Sequence, residues 1–208
     1  MLLGAGQRIV FIGDSITDCG RRDHAAPYGD GYMGLVRAFV DARHPQLGLT
    51  WVNRGIGGDT VRDLAARWEA DAVAERPDWL CVMVGINDIW RGFSPGREAE
   101  AVPIDEYERT LRALLRRAVT TTGCRLVLAD PFLIEADVDE PQRAETDRYA
   151  AVVAAVAKDF DAVHVATQAA FDRVLAHSPS SRWADDRVHP GLPGHAVIAD
   201  AFLAAIGA

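Results

Sequence analysis

The side chains most able to do chemistry in this chain are a serine, a histidine and a carboxylate. Ser15 sits in Gly13-Asp14-Ser15-Ile16-Thr17-Asp18, directly after the β-rich run Arg8 to Ile12. A serine at such a glycine-led turn can present its hydroxyl above the edge of a sheet. The same segment can equally supply a Ser or Asp that caps a helical turn. The Ser15 segment is not the GxSxG elbow of the α/β-hydrolase fold, which disfavours that fold. A serine hydroxyl is a weak nucleophile at neutral pH and needs a base. Among six histidines, only His189 has a carboxylate at short fixed spacing in a turn-like setting, Asp186-Arg187-Val188-His189-Pro190. An Asp three residues ahead can reach the ring Nδ1–H, fixing the tautomer and stabilising the imidazolium. Pro190 keeps His189 out of a regular helix interior. Taken alone, His189 would read as a surface loop histidine. Asp185 is a second candidate carboxylate, although the spacing favours Asp186. His195, at the start of the last helix, reads as structural.

Acyl transfer also needs donors aimed at the charge that develops on the carbonyl oxygen, each worth roughly 3 kcal/mol. Gly57-Gly58-Asp59-Thr60 places glycines where a strand turns into a helix, so the Gly58 N–H can point into a site. Such glycines also occur for a positive φ alone. Asn87, in Gly85-Ile86-Asn87-Asp88, can donate through its side-chain amide or serve as a turn residue. Asp88 is expected to cap the next turn.

These residues need a scaffold, and the hydrophobic pattern supplies one. Strands are expected at 8–12, 49–52, 79–84, 124–129 and 162–165. Helices are expected at 30–42, 60–74, 105–119, 141–158, 168–176 and 193–206, with Asp59 or Thr60 capping the second. Strands alternate with helices throughout, which implies right-handed βαβ units and a parallel sheet. The 79–84 run is continuously apolar, as suits a strand covered on both faces. The expectation is one domain over residues 1–208: a three-layer α/β/α, flavodoxin-like, doubly wound five-stranded parallel sheet. Ser15, Gly58 and Asn87 each fall just past a strand, where open parallel sheets place their sites. Residues 92–103 read as a surface loop beside the site.

Composition narrows the partners. The chain has 208 residues, 49% apolar and 25% charged, with a formal charge of −8. That acidity disfavours nucleic acid and anionic membranes. Cys19, Cys81 and Cys124 are far apart with no CxxC pair, so a cysteine-built zinc site is not expected. Free thiols fit a reducing compartment. No signal-like N-terminus is visible, so a cytoplasmic location is expected.

Gly13-Asp14-Ser15, Gly58, Gly85-x-Asn87-Asp88 and Asp186-x-x-His189 together resemble the ordered motifs of the SGNH, or GDSL, hydrolases across about residues 8 to 195. The phrases Phe11-Ile12-Gly13-Asp14-Ser15-Ile16-Thr17-Asp18-Cys19-Gly20-Arg21 and Gly85-Ile86-Asn87-Asp88-Ile89-Trp90 are similar to the acetylxylan-esterase branch. The resemblance implies Ser15 as nucleophile and first oxyanion N–H, Gly58 as the second and Asn87 as the third donor. It implies His189 as base and Asp186 as its orienting partner, with an acyl-serine intermediate and neither metal nor cofactor. Its implied substrate is a small ester, an acetylated xylo-oligosaccharide or other sugar. Members of the family often associate, so a homo-oligomer is among the expectations. In that branch a tryptophan directly precedes the Asp; here Asp185 does, with Trp183 two residues earlier.

Trp90 and Trp183 are expected to form flat walls against a sugar ring. Arg54, Arg91 and Asp59 are candidates for further polar contacts. Trp51, Trp68 and Trp79 lie in element patterns and read as core. A lysophospholipase- or thioesterase-like hydrolase is the alternative. A metal-dependent phosphohydrolase using Asp14, Asp18, Asp88 and Asp186 is a further one, but no phosphate-cradling glycine loop with a partner lysine is present. A non-catalytic carbohydrate-binding module would leave the Ser, Gly, Asn, Asp and His set without a reason.

Overall fold

A computed structural model describes residues 1–208. Five parallel strands form its sheet: β1 (Arg8–Gly13), β2 (Thr50–Gly55), β3 (Trp79–Met83), β4 (Arg125–Ala129) and β5 (Val163–Val165). Their order is β2-β1-β3-β4-β5, the flavodoxin-like arrangement. Its switch point lies between β1 and β3, where successive connections leave on opposite sides.

The alternation within each strand sorts the core into two layers. Ile9 and Phe11 of β1, with Trp79, Cys81 and Met83 of β3, pack against α2 (Tyr32–Arg43), α7 (Thr167–Leu175) and α8 (Leu192–Ile206). Val10, Ile12, Leu80 and Val82 point the other way. They pack against α3 (Val61–Trp68), α5 (Ile104–Thr122) and α6 (Pro141–Asp159). Trp51, Trp68 and Trp79 are all buried, as are Cys81 and Cys124.

Two departures from the sequence expectation bear on the site. Two short helices, α1 (Ser15–Asp18) and α4 (Ile86–Trp90), stand where only turns were expected. The helix expected over 60–74 divides into α3 and a π-helical turn, Glu69–Val73. Residues 92–103 form a mostly exposed surface loop, as expected. They contain a 3-10 turn at Glu98–Glu100. Val102 is buried and donates its N–H to Asp88 O at 3.1 Å.

Candidate active site

Strand β1 delivers Ser15 to the switch point. Asp14, not Ser15, caps α1: its carboxylate accepts the Ile16 N–H at 3.0 Å. Ser15 is therefore the first helical residue, with its hydroxyl free for another partner and its N–H among the unpaired first-turn donors. Gly13 permits this tight exit, because a Cβ there would lie 2.2 Å from Met83 O on β3. Burial, opposed by the Ile16 N–H, raises the Asp14 carboxyl to about 7.

His189 reaches Ser15 from the loop before α8. Ser15 Oγ lies 3.0 Å from His189 Nε2, and His189 Nδ1 lies 2.6 Å from Asp186 Oδ2. The other Asp186 oxygen accepts the N–H groups of Val188 at 2.9 Å and His189 at 2.7 Å. Partial burial pushes the Asp186 carboxyl up, but the bonds from His189 and Val188 outweigh it and hold it below its ordinary value. Asp185, the competing carboxylate, is exposed and makes no hydrogen bond to His189, whose Nδ1 is taken by Asp186. The loop is closed by an antiparallel bridge between Ala184 and Pro190. Arg187 takes a left-handed φ of 66° in it, pinned through Nη1 to Glu135 Oε2 at 2.9 Å.

Gly58 and Asn87 approach from the neighbouring strand ends. Gly58 has φ 86° and its N–H has no partner within the protein. Asn87 is buried, and its Nδ2 donates to Asp59 O at 3.1 Å. That uses one amide proton and leaves the other available. Asp88 does not cap its own turn. It accepts the Val61 N–H at 3.0 Å and so caps α3 from within α4. Burial, opposed by that bond, raises its carboxyl to about 7. Arg91 Nη2 donates to Gly58 O at 2.5 Å.

Trp90 stands edge-on to the His189 ring, with centroids 5.9 Å apart. Trp183 lines a cavity of about 350 Å³ together with Arg182, Asp185, Asp186 and His189. Arg54 is a correction: it is not brought to this cavity. Its guanidinium is held by Glu75 and lines a separate recess with Arg8 and Arg21. Asp59 is likewise engaged, pairing with Arg67 Nε at 2.7 Å.

Arg67 went unnoticed in the sequence. Only slightly exposed, it donates to Gly13 O at 3.0 Å and Arg54 O at 2.6 Å besides holding Asp59. It thereby ties the ends of β1 and β2 to the glycine turn. An arginine on a helix's polar positions carries no local signal of such a role.

His195 is buried, accepts the Tyr32 N–H on Nδ1 at 3.2 Å and lies 3.3 Å from Cys19 Sγ. Burial lowers its pKa to about 4, and burial with Asp30 raises the Cys19 thiol to about 12. Neither is poised for catalysis. The four carboxylates weighed for a metal do not converge: Asp18 is taken by Arg22 at 2.6 Å, and the other three have the partners given above. No group of three or more His, Cys, Asp or Glu side chains is placed to hold a metal ion.

The GDSL-like lipase/acylhydrolase family matches residues 11–197. An acetylxylan esterase of Geobacillus stearothermophilus is 44% identical over 100% of this chain and 97% of its own. Its crystal structure, named Axe2, superposes with a TM-score of 0.95 at 43% identity, covering 100% of this chain and 97% of that one. Structures of its catalytic mutants replace a serine, an aspartate or a histidine by alanine, the last two three positions apart. Another variant replaces a tryptophan directly preceding that aspartate. A thioesterase 1/protease 1/lysophospholipase L1 of Escherichia coli is 29% identical over 72% of this chain and 63% of its own. The chain belongs to the GDSL-like lipase/acylhydrolase family.

Proposed function

We propose that the protein is a serine acetylesterase acting on acetylated xylo-oligosaccharides or related sugars. The observation that carries this reading is the relay from Ser15 through His189 to Asp186, at 3.0 and 2.6 Å. Ser15 attacks the ester carbonyl as His189 Nε2 takes its proton. Asp186 holds the Nδ1–H tautomer and balances the imidazolium. The oxyanion is met by the Ser15 and Gly58 N–H groups and the free Asn87 amide proton. His189 returns its proton to the departing alcohol, leaving an acyl-serine. A water deprotonated by His189 then releases the acid.

The acetyl-sugar substrate draws on the full-length similarity to the acetylxylan esterase. The polar cavity beside His189 and the two tryptophans support it. The thioesterase/lysophospholipase reading draws on a weaker, partial similarity. The three cysteines, all unpaired, fit a reducing compartment and a cytoplasmic location. Two measurements test the proposal. Ser15→Ala is expected to abolish hydrolysis of p-nitrophenyl acetate while the melting curve stays that of a folded protein; wild-type-like turnover would sink the mechanism. The wild type is expected to release acetate from acetylated xylo-oligosaccharides faster than it cleaves octanoyl esters. The reverse preference would favour the lysophospholipase-like reading.

A further inference from the structure

The loop that carries the base also carries two charged side chains that the relay does not use. Arg182 and Asp185 are both exposed, and both line the cavity of about 350 Å³ that opens onto His189. That volume falls within the roughly 300–1,000 Å³ usual for small-ligand sites. Of the other polar side chains around it, Ser181 offers an exposed hydroxyl and the rest are already committed. Asp186 is occupied by His189 and Val188. The Trp183 indole N–H donates to Ser178 Oγ at 3.0 Å, so Trp183 has its ring to offer rather than its donor. Arg182 lies against that ring, 5.8 Å from its centroid, and pairs with no carboxylate.

A ligand here therefore meets an aromatic ring, an acceptor-only carboxylate and a donor-only guanidinium. A hydroxyl both donates and accepts, so a polyhydroxylated ring can satisfy both charged groups at once. Its C–H face can lie on the indole. An apolar alcohol would strip water from both charges and return no hydrogen bond. We propose that Arg182, Trp183 and Asp185 form a subsite for the sugar hydroxyls of the ester's alcohol portion, with Asp185 as its specificity-determining residue. The proposal rests on the sugar-ester reading above and extends it. The related Geobacillus enzyme carries a tryptophan directly before its aspartate. Asp185 thus gives this chain a charged acceptor where that relative has an indole.

The test is the ratio of kcat/KM for an acetylated xylo-oligosaccharide to that for p-nitrophenyl acetate. It is measured in the wild type and in Asp185→Ala, Asp185→Trp and Asp185→Asn, each checked by thermal melting. Losing a hydrogen bond to a charged acceptor is expected to lower the ratio about tenfold in Asp185→Ala and Asp185→Trp. The loss should appear in KM for the sugar ester. Asp185→Asn retains an acceptor oxygen and should recover most of the ratio. A ratio within twofold of wild type in Asp185→Ala, or a loss confined to kcat, would overturn the subsite while leaving the sugar-ester reading intact. A wild type that cleaves p-nitrophenyl acetate but releases no acetate from the sugar would overturn both.

Discussion

Asn87→Ala separates catalysis from folding in this site. The side chain has two jobs in the proposed mechanism: one amide proton binds Asp59 O at 3.1 Å, and the other is the proposed donor to the substrate oxyanion. Losing the first job removes one buried hydrogen bond, about 1 kcal/mol, or about 2 if the Asp59 carbonyl is left unpaired. In a chain of 208 residues, each kcal/mol moves Tm by about 2–4 °C. The expected fall is therefore about 2–8 °C. Losing the second job removes a donor from the transition state, which costs about 100- to 1,000-fold in kcat. With a typical domain stability of about 5–15 kcal/mol, the variant stays folded in the assay, so the two effects are read independently. The measurements are kcat and KM for p-nitrophenyl acetate together with a thermal melt. Asn87→Asp sharpens the experiment, because it puts a negative charge where the oxyanion forms and should fall below the alanine variant. A kcat within about fivefold of wild type, or an aspartate variant more active than the alanine one, would refute the oxyanion role.

Two further outcomes follow from the carboxylates. Asp186→Asn keeps an acceptor for the Val188 and His189 N–H groups but loses the charge that balances the imidazolium, so kcat should drop about 10⁴-fold with Tm little changed; a loss under tenfold would remove Asp186 from the relay. Asp88 is buried with its carboxyl raised from 3.8 to about 7; such a group favours the fold fully below its unfolded pKa, and that contribution is lost as pH rises through 7, up to about 4 kcal/mol. Asp88→Asn keeps an acceptor for the Val61 N–H without titrating, so the fall in Tm between pH 5 and pH 8 should be smaller than in the wild type; equal falls would mean that Asp88 is already ionised in the fold at pH 5.

The scaffold was legible because its signals repeat. β3 reads as an unbroken apolar run because both of its faces are covered, and α5 shows its buried face at Tyr107, Leu111 and Leu115. The helices α1 and α4 were not legible, since four or five residues are too few to show a helical period. The division of the 60–74 helix was hidden too, because the π turn continues the same apolar face through Ala72 and Val73. At the site, residue types and their chain order pointed to Ser15, Gly58, Asn87, Asp186 and His189. What spacing could not give was which charged neighbours are already spent. Arg54 looked available beside the glycine turn, but its partner Glu75 lies 21 positions away. Asp88 looked like a local cap, but it serves a helix 27 positions earlier.

Those long-range bonds explain why the chemistry can sit on loops and still be held in place. The β2–α3 loop, with Gly58, and the short helix α4 after β3, with Asn87, are fastened at three points: Asn87 to Asp59, Asp88 to Val61 and Arg91 to Gly58. Arg67 anchors that assembly to the ends of β1 and β2. The base arrives on a separate loop with its own fastenings, the Ala184–Pro190 bridge and the Arg187–Glu135 ion pair. The donors thus belong to one braced unit and the His189–Asp186 pair to another, and Ser15 on α1 is where they meet. Preorganised donors need no rearrangement as charge develops, which is the source of their catalytic worth. The alcohol-side cavity lies wholly on the second unit, between residues 181 and 191. Substitutions there can change which ester is chosen while the oxyanion donors stay fixed. Specificity can therefore differ between relatives that share the same relay.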